Sequence, residues 1–418
     1  MVNQTNNQQS NGNNSDENEE PIIKLEKHLK KSYDFRFNEV LLQTEFKDKY
    51  QKEFDLLTDS DMAEMRVNLA KLKYKSYKSY LSDLIESKSL SPRYNPFKNY
   101  FETLPKWDET QLDHIANLCK YIKVKDQEWF NIMLKKHLVR TVACALRKID
   151  FNKHCFVLQG KQNDGKTSFI RFLSPPSLQM NYYKENPPLE HKDGLIAFAR
   201  NLIINFDELD NLDKTEANRV KTMFSQNKID VRLSHDKFDS KLVRYASCFG
   251  TINDAEFLND VTGNVRWLAF EVEGILWDGE NGYMKNINID SVWSQVRFLV
   301  ESGFNFNLTN QEIEEVNFRN KKYMKKTVEM QLINKYFISC DKNDKDAVFV
   351  APYEIYKALS FIENNGLRIN ANNIGKALTF FGYVRSSERR NGKYDPFHGY
   401  YLRSENMAIQ QFLQNIIN

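Results

Sequence analysis

Gly160-Lys161-Gln162-Asn163-Asp164-Gly165-Lys166-Thr167 sets two glycines, a lysine and a hydroxyl at the spacing G-x-x-x-x-G-K-[ST]. Glycines let a backbone wrap tightly enough for several N–H groups to converge on one anion at the start of a helix. In such a loop Lys166 reaches the β- and γ-phosphates of a nucleotide, and Thr167 offers its hydroxyl to Mg²⁺. Gly160, Asn163, Asp164, Gly165 and Ser168 complete the cradle. An apolar run, CFVLQ, precedes the loop and SFIRFL follows it, the strand and helix that this chemistry needs. A plain strand-to-helix turn is the alternative, so the rest of the chain has to decide.

A second apolar run, NLIINFDELD, ends in Asp207-Glu208, with Asp207 forty-one residues after Lys166. This is the form of a Walker B strand: the first acid joins Thr167 around Mg²⁺ and the second polarises the attacking water. A third run, ASCFGTIN, ends in the polar pair Thr251 and Asn253. Placed between the two Walker strands, the Asn253 amide orients the water against the γ-phosphate, as a sensor 1 residue does. Thirteen residues later, in DVTGNVRW, Arg266 is placed to reach the γ-phosphate of a neighbouring subunit. Singly, each signal has an ordinary structural explanation: a buried strand entering an acidic turn, or a surface arginine near a bend.

These groups need a scaffold. CFVLQ, NLIINF and ASCFGTI are short runs with β-branched and aromatic members, separated by helical stretches, the pattern of buried parallel strands in an α/β domain. Helical periodicity is expected over 62–72, 77–87, 111–121 and 126–147, and YDFRFNEVLLQTEF alternates like a hairpin. SPRYNPFKNYFETLPKWDE, with its prolines and aromatics, reads as a boundary or an extended linker packed against the next domain. Helices return over 330–337, 353–361 and 371–381, followed by two strand-like pieces in GYVRSSERRNGKYDPFHGYYLR.

A chain of 418 residues accommodates two or three domains. Its longest apolar stretch, GLIAFARNLIINF, is broken by Arg200 and Asn201, so no membrane span is expected; without a charged-then-apolar leader the expected location is cytoplasmic. Residues 1–20 lack large apolar side chains and are expected to be a disordered tail. The five cysteines are far apart with no C-x-x-C, which argues for free thiols rather than zinc. The net charge of +3 is unevenly spread: from Asn317 onward sixteen Lys/Arg face nine Asp/Glu, leaving that tail at +7 and the rest at −4. Basic charge gathered in one region hints at a polyanionic partner.

The phosphate loop, the strand ending in DE, a basic hairpin segment, GTIN and FLNDVTGNVRW together resemble the virulence-associated E (VapE) family, over about residues 94–272. YNPFKNYFETLPKWDE is similar to that family's opening segment. The resemblance implies a superfamily 3-type AAA+ ATPase of phages and mobile elements, forming a ring that works on single-stranded DNA. Family members often carry two arginines after TGN; Val265 takes the first place here, so the finger rests on Arg266. The family's channel hairpin corresponds to KIDVRLSHDKFDSKLVRY, in which Arg232, Lys237, Lys241 and Arg244 accompany Phe238, cations for phosphates and a flat ring for bases. A solvent-facing hairpin with ordinary charge alternation is the other reading. The tail from about Met330 resembles a winged helix with Arg389 and Arg390 on its wing, a surface for DNA or for a protein.

The resulting expectation is a mostly helical region over 21–93, an α/β P-loop AAA+ (superfamily 3-type) core over 94–310 and a winged-helix domain over 325–418. With ATP and Mg²⁺ as cofactors, it would be a DNA helicase or translocase in replication, a hexameric ring on single-stranded DNA with replication-origin duplex as a second partner. The alternative is an ATP-gated, winged-helix DNA-binding regulator without motor activity.

Overall fold

The computed structural model describes residues 19–189, 192–226, 229–231, 240–254, 256–258, 264–362, 368–389 and 396–417. The expected disordered tail therefore lies almost wholly outside the described residues.

The first unit mixes helix and sheet. Strands β1 (Tyr33–Asn38), β2 (Gln43–Asp48), β3 (Asp55–Leu56) and β4 (Arg93–Tyr94) pair in the order β3-β2-β1-β4. β1 and β2 are the expected hairpin, while β3 and β4 are two residues long and have no period to read. Helices Pro21–Ser32, Asp59–Lys71 and Tyr77–Glu86 cover the sheet and bury Leu25, Leu29, Met65, Leu69 and Leu81 around Phe35. The helix Asp59–Lys71 starts from a capping box in which Thr58 and Asp61 satisfy each other's backbone N–H. The region thus sets a four-stranded sheet beside its three helices, which hold more of its residues than the strands do.

The proline-rich segment packs against the next domain as expected, but as a helix rather than an extended chain. Asn95 accepts from the Lys98 N–H, Pro96 takes the first helical position, and the helix Pro96–Thr103 follows. Phe97 and Phe101, one turn apart, are fully buried in the main core.

That core is built on a six-stranded sheet. Continuing along the chain, the strands are β5 (Ile122–Val124), β6 (Cys155–Gln159), β7 (Tyr183–Glu185) and β8 (Ile203–Phe206), the short pair β9 (Ile229–Val231) and β10 (Ser240–Leu242), then β11 (Ser247–Ile252) and β12 (Trp267–Ile275). The large sheet runs β5-β12-β6-β11-β8-β7, parallel throughout except for β5. β11 lies between β6 and β8, as the sequence predicts. Both faces are covered, which is why these strands read as unbroken apolar runs. Phe156 and Leu158 face a core with helices Gln127–Ala145, Lys166–Leu173 and Ile289–Glu301, while Cys155 and Val157 face Phe198, Val220 and Phe224. The helix Asn310–Asn320 belongs to the same body: Val316 packs in its core, and Asn320 Nδ2 donates to the carbonyls of Asn264 and Trp267 at 2.8 and 2.9 Å.

Residues beyond 327 have a core of their own. Helices Val328–Tyr336, Pro352–Ile362, Ala371–Phe380 and Met407–Ile417 pack with β13 (Phe337–Ser339), β14 (Val348–Val350), β15 (Arg385–Glu388) and β16 (Phe397–Ser404), and β16 pairs with each of the other three strands. Among the described residues no helix is long and apolar enough to cross a membrane.

Candidate nucleotide-binding site

Ile252 pairs with Gln159 and Gly250 with Phe206, so the carboxyl ends of β6, β11 and β8 share one edge of the sheet. The loops that follow them meet there, the place where open α/β sheets take ligands.

The loop after β6 turns through two left-handed residues, Asn163 (φ 66°) and Gly165 (φ 80°), before the helix Lys166–Leu173 begins. Gly165 is required twice over. A side chain would be strained at that φ, and a Cβ would lie 3.1 Å from Trp277 Cδ1. Lys166 is 5% exposed, and its Nζ donates to the carbonyls of Gly160 at 2.9 Å and Lys161 at 2.6 Å and to Asn253 Oδ1 at 3.2 Å. Burial pulls its ammonium below the ordinary lysine range, against the attraction of Asp164, Asp207, Asp210 and Glu208.

The acidic turn after β8 is held from two sides. Thr167 and Thr251 both donate their hydroxyls to Asp207 Oδ1, at 2.6 and 2.5 Å. Thr251 Oγ1 also accepts the Glu208 N–H at 3.1 Å, and Asn186 Oδ1 accepts the Asp207 N–H at 2.8 Å. Glu208 is left-handed (φ 58°, ψ 51°), a conformation costing a non-glycine residue about 1 kcal/mol or more. Its carboxylate is exposed and accepts from Asn211 Nδ2 at 2.8 Å. A Cβ at Gly250 would fall 2.4 Å from Leu209 Cδ1, so that glycine lets the turn settle onto β11.

Asn163, Asp164, Gly165, Lys166, Thr167, Ser168, Asp207, Glu208 and Asn253 line one cavity of about 370 Å³, and Gly160 contributes the carbonyl on Lys166. The oxygens of Thr167 and Asp207 suit a hard cation that draws its other ligands from phosphate and water, as Mg²⁺ does. Three further residues stand on this wall or behind it, with no role that the motifs assign: Trp277, Gln162 and Asp210. Gln162 fills a variable position of the phosphate loop and Asp210 closes the run NLIINFDELD, positions at which the motifs prescribe no residue type, while Trp277 lies far from both in the chain.

Arg266 lies elsewhere. Trp267 pairs with Cys155, at the amino end of β6, so Arg266 sits at the edge opposite its own phosphate loop, on the order of 15 Å away along the strand. Its Nε donates to Ser225 Oγ at 3.0 Å.

The DNA-facing residues divide. β9 and β10 pair antiparallel as the arms of a hairpin, with Lys241 opposite Asp230 and exposed. Arg232, Lys237, Phe238 and Arg390 lie outside the described residues. Arg389 follows β15 and is exposed. Arg244 requires a correction. It is 1% exposed, and its guanidinium donates to the carbonyls of Met223, Phe224, Gln226 and Asn152 at 2.6 to 3.2 Å. It satisfies the last carbonyls of the helix Lys214–Ser225 from inside the core, so it is not a strand-facing cation.

Comparison with known proteins places these residues in context. A family model, the virulence-associated protein E-like domain, matches residues 101–325, which include the phosphate loop, the acidic turn, Asn253 and Arg266. No match was found among curated proteins. Among solved structures the chain is similar to the apo structure of the NrS-1 C terminal region (305-718), with a TM-score of 0.50 and 12% identity over 92% of this chain and 99% of that one. It is also similar to an SCCmec type IV Cch described as an active helicase, with a TM-score of 0.36 and 12% identity over 88% and 92% of the two chains. At such identities the likeness to the NrS-1 region is one of fold.

Proposed function

The chain belongs to the virulence-associated protein E-like family, and on that premise we propose that it is an ATP-hydrolysing motor of a phage or mobile genetic element, a helicase or translocase on single-stranded DNA in replication. The reading is of a superfamily 3-type AAA+ core. The observation that carries it is the double hydroxyl contact of Thr167 and Thr251 on Asp207, one residue from Glu208 and beside the buried Lys166. A plain turn gives no reason to gather two acids, two hydroxyls and a desolvated lysine at one sheet edge.

The roles follow from position. Backbone N–H groups of the loop and the Lys166 charge hold the β- and γ-phosphates. Thr167 and Asp207 would hold Mg²⁺, which would supply charge neutralisation to the phosphates. Glu208 orients the attacking water and accepts its proton, and Asn253 fixes that water's approach. Arg266 lies too far from its own loop to act there, which supports a role in a neighbouring copy's site and hence a ring, taken here as hexameric. The hairpin of β9 and β10, with Lys237, Phe238 and Lys241, grips the strand in the channel. The first three helices of the last unit and its β15–β16 ribbon are read as a winged helix, with Arg389 and Arg390 facing duplex DNA.

The separate core of that last unit also favours a second reading, an ATP-gated DNA-binding regulator. DNA-stimulated ATP hydrolysis measured with strand displacement separates the two. The motor hydrolyses ATP and displaces a strand, and Lys166→Ala abolishes both. Hydrolysis with duplex binding but no displacement would favour the regulator.

A further inference from the structure

A second hollow, of about 760 Å³, lies in the N-terminal unit between the helix Pro21–Ser32 and the turn at 72–75, sharing no lining residue with the nucleotide site. Local structure explains its charge. Lys24, Lys27 and Lys31 fall at i, i+3 and i+7, one face of the helix, spanning about 10 Å at 1.5 Å per residue. Leu25 and Leu29 on the other face are fully buried and fix the helix to its core. Across the hollow, the helix Asp59–Lys71 ends in a left-handed reversal at Lys73 (φ 58°), with the Lys73 and Tyr74 N–H groups bonded back to Ala70 and Leu69 at 3.0 and 3.1 Å. Lys73 and Lys75 thereby reach the hollow on either side of Tyr74. The Tyr74 ring rests against His28, centroids 4.8 Å apart.

Five lysines thus line a concave surface in which, among the described residues, Glu19 is the one acid, and Glu19 pairs with Lys27. Burial and the neighbouring Lys31 charge both hold the His28 imidazole below its ordinary value, in keeping with a positive local field. An acidic protein would use the lysines but leave the ring pair without a role. A strand of nucleotides uses both, since its phosphates need cations and its bases need flat faces.

We propose that this hollow is a second binding site for single-stranded nucleic acid, with the lysines on its phosphates and the Tyr74–His28 pair as a platform for a base. It extends the strand-handling role proposed above and rests on that reading only for the choice of a single strand.

Anisotropy of a labelled oligothymidylate with the full chain, without nucleotide and over a range of salt, tests it. On a single strand each phosphate contact contributes about 0.7 to the slope of log affinity against log salt. Lys24→Glu with Lys31→Glu and Lys75→Glu should weaken binding about ten-fold or more and reduce that slope by about 2. Tyr74→Ala keeps every charge and should weaken binding about five-fold with the slope unchanged, while Tyr74→Phe binds as the parent does. The same changes in a Lys237→Ala/Phe238→Ala background keep binding at the proposed channel hairpin from hiding the loss. In the otherwise unaltered chain, the changes at Lys24, Lys31, Tyr74 and Lys75 should leave basal ATPase as it is, since none of these four lies at the nucleotide site. Unchanged affinity and slope in the triple variant would overturn the inference. So would a loss confined to the charge variant, together with equal displacement by poly-L-glutamate, which would assign the hollow to an acidic protein. The readout needs neither hydrolysis nor unwinding, so a chain that binds here but lacks motor activity would uphold the inference while sinking the motor.

Discussion

Asp210 Oδ2 accepts the backbone N–H of Asn253 at 3.0 Å, and that of Asp254 at 2.9 Å, tying the acidic turn after β8 to the loop after β11. The Asn253 side chain, which accepts from Lys166 Nζ, is thereby fixed relative to Glu208. Asp210→Ala leaves two N–H groups without their acceptor and lets the loop drift. Small misplacements of an orienting group cost up to about 100-fold, so kcat for ATP should fall about 10- to 100-fold with KM changed far less. Asp210→Asn keeps an amide oxygen at that position and should recover most of the rate. Steady-state ATPase measurements on the three proteins check this; a defect entirely in KM would place the role of Asp210 in nucleotide binding instead.

Arg266 and Lys166 stand at opposite edges of one sheet, through the register of Trp267 with Cys155. If each active site is completed by a neighbour, Arg266→Ala and Lys166→Ala should each be inactive alone. Mixed together, they form some interfaces that join an intact loop to an intact arginine, and a fraction of the activity returns. Titrating one variant against the other at fixed total protein measures it. A monomer hydrolysing ATP at full rate would contradict the arrangement.

The parts of the site legible in the sequence were those whose chemistry lies within one short segment. The phosphate loop and Asp207-Glu208 announce themselves because residues adjacent in the chain act together. Thr251 was visible only as a polar strand end, and its double contact with Asp207 and the Glu208 N–H depends on β11 lying beside β8. Trp277 reaches the site by tertiary folding alone, and Asp210, although only three residues after Asp207, shows its part only in its bonds to the loop after β11. Arg244 misled because a cation in a basic stretch reads as exposed, whereas its acceptors come from segments 92 and 18 to 21 residues away. In the fold, the long apolar runs and periodic helices were readable, but β3, β4, β13 and β14 are too short to show alternation.

Trp277 follows β12 at 40% exposure, against Gly165 and on the wall of the nucleotide cavity. An indole held half out of solvent beside the phosphate loop offers a flat apolar face to a nucleotide base. ATP should therefore change the indole fluorescence, and the change should vanish in Trp277→Ala. That variant should raise KM about five-fold with kcat nearly unchanged, the signature of uniform binding, and Trp277→Phe should fall between. An unaltered KM in Trp277→Ala would remove the indole from nucleotide recognition.

The buried histidines set how the fold responds to acid. His137 is fully buried, and His154 is 2% exposed with its Nδ1 3.0 Å from the Val265 carbonyl. Burial, reinforced by the charge of Arg140, holds the His154 imidazole down at about 3, against the pull of that carbonyl. Burial also drives His137 well below its ordinary value, with His154 and Arg140 acting in the same direction. Both folded-state values are depressed, so below the ordinary 6.5 the unfolded chain takes up two protons that the folded chain refuses. Stability is therefore fully present above that pH and lost as the pH falls, by about 1.4 kcal/mol per unit for each histidine. The loss between pH 6 and pH 5 should come to about 2.5 kcal/mol. The His154 part of the loss ends near pH 3, where the folded protein protonates that ring too. Urea unfolding at pH 7, 6 and 5 measures the slope, and His154→Gln, which keeps a donor for the Val265 carbonyl, should roughly halve it. A wild-type stability that does not change from pH 7 to pH 5 would mean that these two rings are not held neutral in the core.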